Sequence, residues 1–134
     1  MSVEILLKNF GLTAAPDTSE VSRLCVKADF KLDSDYIDFI SSHNGASGIL
    51  GIQNLILWNI EDVCALNPYY DPVQDKGHSN QFFFIGSNGA DAGYAIWKAD
   101  GVFIEIPFIG MEDEVPNELG IGFKSFLQLL SKSV

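Results

Sequence analysis

The sequence predicts an α+β fold, an antiparallel-rich central sheet flanked by N-terminal helices and a C-terminal helix. Three observations carry that expectation. Helical periodicity and capping residues fill the first 45 positions. Runs rich in β-branched and aromatic residues, 82–85, 94–97 and 102–106, then succeed one another across short turns, as in an antiparallel meander. A last amphipathic stretch closes the chain. Helices segregated from strands separate this pattern from an alternating α/β one.

Val3, Leu6, Leu7 and Phe10 stand at i, i+3, i+4 and i+7, one face of a short helix that Gly11 can close. Asp17-Thr-Ser-Glu20 reads as a capping box, and Val21, Leu24, Cys25 and Ala28 continue that second helix as its buried stripe. In "LDSDYIDFISSHNGASG", Asp33 or Ser34 caps a third helix, with Tyr36, Ile37, Phe39 and Ile40 on its apolar side and Asn44-Gly45 at its end. From Ile49 the pattern changes to strands. Asn59 then caps a short helix burying Ile60, Val63 and Cys64 or Leu66, and 67–80 is expected to be a polar loop with two prolines. After the three strands, "FIGMEDEVPNELGIG" reads as an acidic loop. Phe123, Phe126, Leu127 and Leu130 mark the closing helix.

With 134 residues, 47% of them apolar and 19% charged, the chain is the size of a single domain that can bury a core, not a disordered segment. Eight Lys and Arg stand against 18 Asp and Glu, for a net charge of −10. Nucleic-acid binding needs a basic face to displace counterions, and Arg23 with seven scattered lysines does not make one. The acidity keeps an apolar-rich chain soluble, or it speeds encounter with a basic partner. Cys25 and Cys64 form no CxxC. They could pair, but the reading taken is two reduced, buried thiols in a cytosolic protein. Glu4 and Lys8 interrupt the first residues, so no signal peptide is expected there, nor a membrane span. The expected location is the cytoplasm.

The glycines of Gly86-Ser-Asn-Gly89-Ala-Asp-Ala-Gly93 raise the question of a phosphate cradle. A Walker loop needs Lys-Ser/Thr after its last glycine, and a dinucleotide loop needs a helix there. Directly after Gly93 stands "YAIWK", a strand, so the stretch is expected to be a hairpin turning at Asn88-Gly89. No GxSxG elbow appears. The acids sit in loops or on polar faces, away from the burial that raises a catalytic carboxyl's pKa. His43 and His78 lack the company a metal site needs. No enzyme activity, cofactor or metal is expected. Trp58, Tyr69, Tyr70 and Trp97 stand as candidate interface anchors; for the two tryptophans the alternative is a core place at strand ends, whereas Tyr69-Tyr70, in a loop between prolines, are expected to be exposed.

The segment "LDSDYIDFISSHNG" resembles the signature of the SMI1/KNR4 domain, the core of the SUKH superfamily. In that signature a Leu-Pro precedes an acidic-Tyr-x-x-Phe-Leu helix ending in Asn-Gly. Leu32, Tyr36, Phe39, Asn44 and Gly45 stand in those places, with Asp33 where proline is usual. "LILWNIEDVCALNPYY" is similar to the family's Trp-centred segment, "FFFIGSNGADAGYAIW" to its glycine-containing strand pair and "FKSFLQLL" to its closing helix. The likeness spans 21–130. It implies an α+β domain and, for a bacterial immunity-type member, a protein that binds and blocks a polymorphic or contact-dependent toxin domain, typically a nuclease or deaminase. The alternative it leaves open is a regulatory or scaffolding interaction module. The candidate partner-binding residues are Tyr69, Tyr70, Asp71, Asp91, Glu112, Asp113 and Glu114, acidic or aromatic positions in expected loops.

Overall fold

The computed structural model describes residues 2–70, 81–111 and 115–132. Among them seven strands form one antiparallel meander in which each strand pairs with the next: β1 (Gly11–Leu12), β2 (Ala46–Leu50), β3 (Gln53–Leu57), β4 (Phe82–Ser87), β5 (Ala92–Trp97), β6 (Val102–Pro107) and β7 (Asn117–Ile121). Five helices accompany them: α1 (Val3–Leu6), α2 (Thr18–Ala28), α3 (Ser34–Ser42), α4 (Ile60–Tyr70) and α5 (Phe123–Ser131). This is the expected α+β architecture.

Alternation sorts the strand residues onto two faces. Phe83, Tyr94, Ile96, Phe103 and Leu119 point to the helix side and join Leu24, Tyr36, Ile40, Val63, Phe126 and their neighbours in the main core. Phe82, Phe84, Ala95, Ile104 and Ile106 point the other way and form a second apolar cluster with Met111. Both faces of β4 and β5 are therefore buried, which is why "FFFI" and "YAIW" read as continuous apolar runs. Aromatic contacts fix α5 on the helix side: Phe126 meets Phe103 at 5.2 Å and Tyr94 at 5.4 Å, and Phe123 meets Tyr36 at 5.5 Å. Such pairs add roughly 0.5–1.5 kcal/mol each beyond area burial.

Local chemistry sets the helix starts. The Asp17 N–H donates to Glu20 Oε1 at 3.3 Å, as the capping box requires. Ile60 and Asp62 donate their backbone N–H groups to Asn44 Oδ1 and Asn59 Oδ1, both at 2.8 Å. Asp33 does more than the sequence suggested. Its Oδ2 accepts from Tyr36 N–H at 3.1 Å and from Phe123 N–H at 3.1 Å, so one carboxylate caps both α3 and α5. Gly122, the α5 N-cap, has no side chain to do this itself. Asp33→Ala should therefore lower stability in urea by about 2 kcal/mol, twice an ordinary cap. A loss below about 0.5 kcal/mol would show that neither cap matters.

Five expectations need correction. The first helix stops at Leu6, and Phe10 and Gly11 lie beyond it, Gly11 in β1. Cys25 is exposed and Cys64 half-buried, both as free thiols; Leu24 and Ala28, one turn apart, fill the α2 contact and leave Cys25 beside it. The short helix after Asn59 runs on to Tyr70, through Pro68, so Asn67 to Tyr70 are helical and not loop. The expected Gly45-terminated end of α3 comes two residues earlier, at His43. The expected acidic loop after Pro107 contains an edge strand, β7.

Candidate protein-binding corner

The sheet face opposite the main core gathers part of what the sequence singled out. Tyr69 and Tyr70 end α4, their rings 5.1 Å apart. Tyr70 stacks on Phe108 at 4.9 Å with an interplanar angle of 15°, and both rings lean on Phe84. Phe108 comes directly after β6, and its N–H donates to the Asp91 carbonyl at 2.9 Å. Thus Tyr70 and Asp91, far apart in sequence, both contact Phe108, and Tyr69 packs against Tyr70. Ile109, next to Phe108, is 90% exposed and Tyr69 68%. Asp71, Glu112, Asp113 and Glu114 lie outside the described residues. Sequence reasoning missed Phe108 and Ile109; an apolar pair directly after a strand-ending proline was the available signal.

The tryptophans are intermediate between the two readings. Trp58 and Trp97 are half-buried and pack on the second cluster, Trp97 edge-on to Phe82 at 5.3 Å.

The hairpin between β4 and β5 is closed from within. Asn88 Oδ1 accepts from Ala90 N–H (3.0 Å) and Ala92 N–H (3.1 Å), its Nδ2 donates to Asp91 Oδ1 (3.0 Å), and Ser87 Oγ takes the Gly89 N–H (3.2 Å). Gly89 has φ +77°, a left-handed turn residue. The Asn88, Gly89, Ala90 and Ala92 N–H groups are thus engaged within the turn. This settles the glycine stretch as a turn, and it presents Asp91 at the surface.

On the helix side a cleft of about 500 Å³ opens between α1 and α3, floored by Leu7 and Phe39 and edged by Glu4, Asp35, Asp38 and Lys124. His43 also lines it. Its Nδ1 lies 3.0 Å from the Thr13 carbonyl; a carbonyl only accepts, so Nδ1 carries the proton and Nε2 is the acceptor in the neutral ring. Among the described residues no three His, Cys, Asp or Glu side chains gather as metal ligands would. No helix among them is long and apolar enough to cross a membrane.

Three phenols titrate above the ordinary tyrosine value. Burial raises Tyr36, with a smaller push from Cys64; burial, then the Glu105 charge, raises Tyr94; burial, then Tyr69, raises Tyr70. The Tyr36 hydroxyl is buried without a hydrogen-bond partner among the described residues. A phenol whose folded pKa exceeds its unfolded value of 10.0 adds stability that is complete below that pH and is lost as pH rises toward the folded pKa. The chain should therefore weaken progressively from about pH 10 upward. Tyr36→Phe should be neutral or stabilising at pH 7, since it removes an unpaired hydroxyl, and should soften the alkaline loss. Urea midpoints at pH 7 and pH 11 check both parts; a steeper alkaline loss in the variant contradicts them.

No family model and no curated protein matches this sequence.

Proposed function

We propose that this chain is a toxin-neutralising immunity protein of the SMI1/KNR4 type, which binds a toxin domain, a nuclease or a deaminase, and blocks it by occlusion. The activity is binding and not catalysis. The observation that carries the reading is the corner around Phe108: Ile109 and Tyr69 stand 90% and 68% exposed on either side of the Tyr70–Phe108 stack in sequence, and the Asp91 carbonyl holds the Phe108 backbone. Exposed apolar and aromatic side chains on a rigid base are what an interface hot spot needs. A net charge of −10 over the chain suits a basic toxin domain by raising the association rate and disfavouring acidic partners. The resemblance of 32–45 to the SMI1/KNR4 signature, and of the later segments in their order, supplies the family context.

The test is co-expression with the product of the adjacent gene. Protection of the host cell is expected, with an association rate that falls steeply as salt is raised. Absence of protection, with capture of a housekeeping protein in its place, would favour the regulatory or scaffolding module. A salt-independent rate would remove the electrostatic part.

A further inference from the structure

We propose that the cleft between α1 and α3 is a second docking site, which takes an arginine- or lysine-bearing segment of a protein partner. This goes beyond the function proposed above and does not rest on it, since the corner around Phe108 belongs to the apolar cluster on the other face of the sheet. The cleft measures about 500 Å³, within the roughly 300–1,000 Å³ of sites that hold small ligands or anchoring side chains.

Its chemistry is asymmetric. Asp35, Asp38, Phe39 and Ser42 fall at i, i+3, i+4 and i+7 along α3 and line one wall, as residues on one helical face do. Glu4 stands on the opposite wall and Lys124 among the lining residues from α5. Among the described residues the Glu4, Asp35 and Asp38 carboxylates make no hydrogen bond or ion pair. The His43 Nδ1–H is engaged by Thr13, so the neutral ring has only an acceptor left to give. Acceptors thus outnumber the single lysine, and an occupant must bring donors.

The floor narrows the choice further. Leu12, 42% exposed, and the half-buried Val3 give the cleft its accessible apolar surface, over the core residues Leu7 and Phe39. The three carboxylates do not converge as metal ligands would. A compact metal ion would leave the floor uncovered. A long basic side chain does not: its methylene stem can lie along Val3 and Leu12 while its head reaches the carboxylates. Opposite charge and matching apolar length together define the occupant.

The experiment uses the full chain, isotope-labelled for NMR, titrated with acetyl-Leu-Arg-Leu-Arg-amide and with acetyl-Leu-Glu-Leu-Glu-amide. The arginine peptide is expected to shift the amide signals of α1 and of 35–43 first, and the glutamate peptide to shift none. Asp35→Asn with Asp38→Asn should weaken the arginine peptide about tenfold, and Lys124→Ala should tighten it. Asp35 and Asp38 are exposed and unpaired, so the double variant should fold; an unchanged thermal melt verifies this. Shifts scattered over the whole acidic surface, equal response to the glutamate peptide, or unchanged affinity in the folded double variant would each overturn the proposal.

Discussion

Replacing Asn67 with alanine is expected to lower stability by about 3 kcal/mol, because it strands two buried backbone groups at once. β3 pairs with β4 only at Ile56–Ser87 and Leu57–Gly86, and Trp58 N–H extends the contact to the Ile85 carbonyl at 2.9 Å. Beyond that point the edge of β4 has no strand beside it among the described residues. The Asn67 side chain takes the place of one. Its Oδ1 accepts from Phe84 N–H at 2.7 Å, and its Nδ2 donates to Phe84 O at 2.9 Å and Val63 O at 2.8 Å. An amide is the only short side chain that can both accept and donate in this way. Asn67→Asp retains the acceptor but sets a carboxylate against two carbonyls, so it should be destabilised as well. Urea unfolding measures both. If alanine costs less than about 1 kcal/mol, the bonds contribute little beyond what water supplies.

The same bonds explain how α4 continues through Pro68. Proline removes the N–H that would meet the Cys64 carbonyl and disfavours a helical Asn67 before it. The three Asn67 bonds hold the helix across that break. The last turn then carries Tyr70 over to the second cluster while Ile60 and Val63 stay in the main core. The Asn67→Ala variant should therefore also loosen the Tyr70–Phe108 stack, and with it the proposed binding corner.

Gly86→Ala is the second large effect, expected to cost about 3 kcal/mol or to prevent folding. A Cβ on Gly86 would collide with the Ile56 carbonyl oxygen, a backbone atom that cannot rotate away. Relief requires β3 and β4 to part where only two residue pairs join them. Gly11→Ala is the control. Its Cβ would meet Ser47 O at 3.7 Å, an ordinary contact, on an exposed strand, so its effect should stay within about 0.5 kcal/mol. Equal melting temperatures for the two variants would contradict the steric account.

Where a local signal governs structure, the sequence was readable. Asp17, Asp33 and Asn59 start their helices as capping chemistry requires, and the three strands of the centre match their apolar runs. β7 escaped because one residue of five, Leu119, is buried; an edge strand with an open face has no full alternation to read. β1 has two residues and no periodicity at all. Pro68 argued for a loop, and only the tertiary bonds of Asn67 overrule it. The candidate site was half legible for the same reason. Tyr69, Tyr70 and Asp91 were chosen as acidic or aromatic residues of expected loops, but their meeting depends on Phe108, whose stacking and backbone bond are long-range. Asp33 was read as one cap; its second partner lies 90 positions away.

The central claim is that the corner around Phe108 binds a toxin domain. Its most direct test is the affinity of the purified chain for the product of the adjacent gene, measured by calorimetry for the wild type and for Tyr69→Ala with Ile109→Ala. Both side chains are largely exposed, so the variant should melt as the wild type does. Tight binding by the wild type and a loss of about a hundredfold in the variant, near 2.7 kcal/mol, is the predicted result. No binding by the wild type, or equal affinity of the two proteins, would contradict the claim.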